Sequence, residues 1–150
     1  LRLPDGRTWI AFDFTYNRAR ARMLLDRSAE FLETARERAE TAPAVCLDCA
    51  FSSAELAVQA EMLVMQQETH NHKVRGQWLA GWSENGNSPP AHASTLWRLA
   101  DLRKKARYGS EHVDLKPGQL AKLLDIVEDM LEHARTRVEP PVHGSDSDGS

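Results

Sequence analysis

From Ala44 to about Glu68 the chain is apolar around most of a helix's circumference, and this stretch limits the folds open to it. At helical spacing, Cys46, Ala50, Ser53, Ala57, Ala60 and Val64 form a face of small residues. Leu47, Phe51, Ala54, Val58 and Met65 form the face beside it. Only a narrow stripe of Asp48, Ser52, Glu55, Gln59 and Gln66 stays polar. Such a helix has to be surrounded, and small residues let its neighbours come close, so the pattern predicts a central helix inside a bundle.

The rest of the sequence supplies the surround. It is rich in Ala, Leu, Glu, Arg and Gln, all good helix formers, and shows no repeat at a fixed period. One amphipathic helix is expected from about Thr15 to Thr41, with Ala21, Leu24, Leu25, Ser28, Phe31, Leu32 and Ala35 facing inward, before Pro43 opens the central helix. After His70-Asn71-His72, a short helix runs from Lys73 to Trp82 and ends at the Asn85–Pro90 turn cluster. A fourth helix spans about Ala91 to Tyr108, with Gly109 expected to stop it through its tolerance of positive φ. Lys116-Pro117-Gly118 opens the last, where Leu120, Leu123, Leu124, Val127, Leu131 and Ala134 keep helical spacing.

The two ends read differently. Pro4-Asp5-Gly6 is a turn signal, and Ile10, Phe12, Phe14 and Tyr16 alternate as in a strand. Residues 1–16 are therefore expected to be an N-terminal arm or the remnant of a preceding segment. Residues 139–150, rich in Pro, Gly and Ser with only acidic charges, are expected to form a disordered tail. The fold class expected is all-α, a four- to five-helix bundle over residues 17–138.

Charge and composition narrow the partners. With 41% hydrophobic and 27% charged residues the balance is that of a globular chain. No apolar run approaches the roughly 20 residues that span a bilayer, so no membrane partner is expected. Without a signal-peptide pattern, and with two closely spaced cysteines, a cytoplasmic location is the expectation. A net charge of -3 gives no global basic field, so any nucleic-acid site must be local.

Four constellations are candidates for chemistry. Cys46-x-x-Cys49 with His70 and His72 has the ligand count of a zinc site. The cysteines, however, start a buried helix that the histidines follow, roughly 30 Å away at the helical rise per residue, so core cysteines and no metal are expected. Trp78, Trp82 and Trp97 can stack on bases, or can pack against the bundle or a second subunit. Arg98, Arg103, Lys104, Lys105 and Arg107 outweigh Asp101 to give a local balance of +4, which suits a phosphate backbone or a solvated helix end. Finally, Arg107 and His112 are five apart; an arginine to hold a phosphate and a histidine to move a proton can together cleave RNA without a metal.

Read in order, these pieces resemble the HEPN family. The stretches Ala29–Ala35 and Ala50–Ala60, the connection at His70 to His72, and the helix ending Leu102-Arg-Lys-Lys-Ala-Arg-Tyr-Gly109 carry the likeness, over about residues 18 to 137. The resemblance implies a helical bundle that commonly dimerises with itself. It also implies a metal-independent endoribonuclease of a toxin–antitoxin or defence system, with an antitoxin or neighbouring domain as partner and no cofactor. Arg107 and His112 match the spacing of the family's Arg–His motif, with Arg98, Arg103, Lys104 and Lys105 as its nucleic-acid or nucleotide contacts. Tyr108 stands where active members usually carry a polar residue, often Asn. Lys105-Ala-Arg-Tyr-Gly109 also resembles a large subgroup that has an acidic residue before Tyr-Gly and often lacks the histidine. That likeness implies the alternative of a non-catalytic module binding nucleotide, nucleic acid or a partner protein.

Overall fold

The computed structural model describes residues 15–109 and 115–139. Within them five helices follow in order: α1 (Thr15–Arg38), α2 (Pro43–Val64), α3 (His72–Glu84), α4 (Pro90–Tyr108) and α5 (Pro117–Val138). The described residues form an all-α bundle with no strand. The expected N-terminal arm lies outside them up to residue 14, and Thr15 and Tyr16 already belong to α1. The expected tail lies outside them from residue 140, while its first residue, Glu139, is paired with Arg22 of α1.

The central helix is α2. Cys46, Ala50, Ser53, Ala54, Ala57 and Ala60 are fully or almost fully buried on it, and Leu47 and Val58 pack with Leu79, Leu99, Val127 and Val138 of the helices around it. Helix α1 lies antiparallel to α2, with Asn17 Nδ2 donating to the Leu63 carbonyl at one end and the serines 28 and 53 meeting further along. Ser28 Oγ donates to the Ser53 carbonyl and Ser53 Oγ to the Ser28 carbonyl, both at 2.8 Å. That reciprocal contact requires small side chains at the crossing and leaves no buried hydroxyl unmatched there. Helix α5 covers the same hairpin, with Arg36 reaching Asp125 and Glu128, and Arg22 reaching Glu139.

Three local expectations are corrected. Phe31 of α1 is exposed rather than in the core. Helix α2 ends at Val64 instead of Glu68, because Gln66 takes a left-handed conformation (φ 59). Its N–H and that of Gln67 then bond the carbonyls of Leu63 and Met62, which closes the helix end. Gly109 ends α4 without positive φ: its backbone is extended (φ -86, ψ 144). A Cβ at that position would lie 2.6 Å from the Lys105 carbonyl oxygen, so glycine is required by close approach rather than by handedness. Positive φ is used by glycine at Gly86 (φ 78), in the same kind of closure after α3.

Candidate functional site

The expected basic cluster lies on the last turns of α4, where Asp48 of α2 organises it. Arg103 Nε donates to Asp48 Oδ1 at 2.6 Å, and Arg107 Nη2 to Asp48 Oδ2 at 2.6 Å. Partial burial works against the charged form of Asp48, but the hydrogen bonds and charges of Arg107 and Arg103 outweigh it and hold the carboxyl below its usual range. Asp48 belongs to the polar stripe of α2, so the stripe is the bridge to α4 at this end of the helix. Lys105 pairs with Asp101 one turn back at 3.0 Å, while Arg98 and Lys104 are exposed. His112 lies outside the described residues, so the Arg107–His112 pair has no geometry to report.

Beside the arginines lies a cavity of about 300 Å³ bounded by α2, α3 and α4. Phe51, His72, Lys73, Gly76, Leu96 and Trp97 form most of its wall. Phe51 is shared by both features: it lines the cavity, and the Arg103 guanidinium sits 4.9 Å from its ring centroid. Trp97 is 44% exposed and rests against Gly76.

At the cavity rim stands a histidine of the His70–His72 connection. His72, the first residue of α3, is capped into place by Asn71, whose Oδ1 accepts from the amides of Lys73 and Val74. Its Nδ1 pairs with Glu55 Oε1, and its ring lies 5.7 Å from that of Phe51. The other carboxylate oxygen of Glu55 accepts from Arg75 Nη1 at 2.9 Å. Arg75 spends Nε and Nη2 on the Thr69 carbonyl, at 3.0 and 2.9 Å. The side chains of Glu55 and Arg75 are each 7% exposed, against 63% for His72. Glu55, on the polar stripe of α2, is buried under the histidine and also lines the cavity.

The remaining candidates separate. Trp78 and Trp82 stack on each other at 4.9 Å on α3, and Trp82 is buried with its Nε1 donating to Glu61 at 2.8 Å. Of the three tryptophans only Trp97 lines the cavity. Cys46 and Cys49 are free thiols on α2. Burial, with Cys49 nearby, pushes the Cys46 thiol up to about 11, which favours a protonated core residue. No group of three or more His, Cys, Asp or Glu side chains suited to a metal ion occurs among the described residues.

A second polar cluster was not foreseen. Glu61, buried in α2, is faced by Trp82 Nε1, by Arg137 Nε at 3.7 Å and by His133 Nε2 at 4.0 Å. His133 and Arg137 also converge on the Asn87 carbonyl, at 2.8 and 3.0 Å. Burial raises the Glu61 carboxyl, opposed by these partners. Its only sequence signal is an acid set among Ala60, Met62 and Leu63 on a helix with little polar surface.

No family model matches the chain, and no curated protein matches it.

Proposed function

We propose that this chain is a HEPN-type module that acts on RNA in the cytoplasm as a homodimer, cleaving the strand without a metal. The single observation that carries the reading is the shared ring of Phe51, which brings the Arg103 guanidinium, joined to Arg107 through Asp48, beside an aromatic-walled cavity. A nucleotide unit within a strand has those two needs, an anionic phosphate and a flat base. In the reaction the 2′-hydroxyl attacks the adjacent phosphate, Arg107 offsets the developing charge, and His112 takes part in proton transfer. Arg98, Arg103, Lys104 and Lys105 hold the flanking phosphates. An antitoxin or neighbouring domain would regulate such an enzyme.

One observation favours the second reading, a module that binds nucleotide or RNA, or a partner protein, without cutting. Asp48 already occupies Arg107 at 2.6 and 3.2 Å, so part of the charge that cleavage needs is neutralised within the chain.

The test is growth after inducible expression of wild type beside Arg107→Ala and His112→Ala, at matched soluble levels. Arrest by wild type alone supports cleavage. If none of the three affects growth, the binding reading stands in its place, and a rise in melting temperature on adding RNA or nucleotide is then expected.

A further inference from the structure

We propose that His72 is the proton-transfer residue of the α2–α3–α4 cavity and that Glu55 is its positioning residue; this rests on the RNA-cleavage reading above. The argument starts from cost. A carboxylate and a guanidinium withdrawn from water, as Glu55 and Arg75 are, lose solvation that their mutual attraction only partly returns. Arg75 also holds the α2–α3 connection through the Thr69 carbonyl, so one guanidinium fixes both that connection and the Glu55 carboxylate of α2. What the buried pair adds is a fixed carboxylate oxygen under His72 Nδ1.

A carboxylate at Nδ1 selects the tautomer with its proton there and leaves the lone pair on Nε2. The ring is also held against Phe51, at the mouth of the cavity that Phe51 and Trp97 line. At the first position of α3 the histidine keeps 63% of its side chain exposed, so its Nε2 is open to a bound strand. The Arg103 guanidinium lies 4.9 Å from the centroid of the same Phe51 ring, so the imidazole and a cation share one aromatic neighbour.

The step balances within the chain and its substrate. Nε2 of His72 takes the proton of a 2′-hydroxyl, and O2′ forms a bond to the adjacent phosphorus as the bond from phosphorus to O5′ breaks. The leaving oxygen takes a proton from water, and the imidazolium returns its own to solvent. The products are a 2′,3′-cyclic phosphate and a 5′-hydroxyl end.

The experiment uses the full chain with a single-stranded RNA of mixed sequence and its all-2′-deoxy counterpart. Wild type is expected to cut only the RNA. His72→Gly is expected to lower kcat by about 10²- to 10⁴-fold, the usual worth of a positioned acid or base, with KM little changed. Added imidazole should restore part of the activity of His72→Gly, a response that a structural role would not give. His72→Ala guards against a fault caused by glycine itself and should be equally slow. Glu55→Gln should lower kcat, yet the His72→Gly, Glu55→Gln double variant should be no slower than His72→Gly alone, as expected of residues acting as one unit. RNA cleavage that survives in His72→Gly, or that is lost through KM without imidazole rescue, overturns the assignment and leaves the cleavage reading standing. A wild type that cuts neither strand overturns both.

Discussion

The indole of Trp97 packs on Gly76 so closely that a Cβ there would come within 2.7 Å of its Cζ2. In an open helix, replacing glycine by alanine gains about 0.5–1 kcal/mol. Here overpacking at about 1–3 kcal/mol should win, so Gly76→Ala is expected to lower stability in urea denaturation. In a Trp97→Ala background the same change should become stabilising. A single variant more stable than wild type would mean that the indole simply swings aside.

Asp48 sits between Arg103 and Arg107 as a built-in competitor for phosphate. Asp48→Asn keeps one oxygen acceptor, loses the other and removes the charge. Affinity for single-stranded RNA should rise, and the slope of log affinity against log salt should steepen by about one. The stability cost should stay under about 1 kcal/mol, since the pair is partly exposed. It follows the lowered carboxyl: Asp48 stabilises the fold above the ordinary Asp range, and that contribution is lost as pH falls through its lowered value. Unchanged affinity would take the two arginines out of the binding surface.

His92 is buried, with Nε2 at 2.6 Å from Asp129 Oδ2. Burial pushes its imidazole below the usual range, against the pull of Asp129. The unfolded chain therefore binds a proton at this residue before the folded one does. Stability should fall as pH drops from about 6.5, the ordinary imidazole value, toward the lowered one. Denaturant midpoints for wild type and His92→Gln should diverge least at the acid end of that window. Parallel curves would place the acid sensitivity elsewhere.

Gln66 closes α2 in a left-handed conformation that costs an L-residue about 1–2 kcal/mol. Glycine adopts it freely, so Gln66→Gly should stabilise the chain by about 1 kcal/mol, after its larger loss of freedom on folding. Thermal unfolding at a concentration well below any dimerisation threshold measures this directly, and a lower melting temperature would contradict it.

The bundle was legible because apolar residues repeat at helical spacing, and because Pro43, Pro90 and Pro117 mark three helix starts. The stop of α2 was not, since a glutamine in the left-handed region carries no local signal. Phe31 shows the limit of periodicity: its place on the helical wheel is right, but 39% of it stays exposed. The basic helix was visible as composition. Its anchor was hidden, because Asp48 lies 55 residues before Arg103 and reads alone as a solvent-facing acid. Glu55 and His72 were both named, the first on a polar stripe and the second in a rejected zinc set. Their pairing depends on how α3 folds back on α2, which neither segment encodes by itself.

The reciprocal serine contact between α1 and α2 bears on the order in which the chain assembles. These two helices are consecutive, only residues 39–42 separate them, and the loop-closure entropy of bringing them together is correspondingly small. Small residues at the crossing allow the backbones to meet without waiting for bulky side chains to interdigitate. Helix α5, by contrast, must return over both from far along the chain, a non-local step that comes at greater entropic cost. The α1–α2 hairpin is thus the natural nucleus, already complete in sequence while α3, α4 and α5 are still being synthesised. Its exposed apolar flank then becomes the template on which those later helices condense.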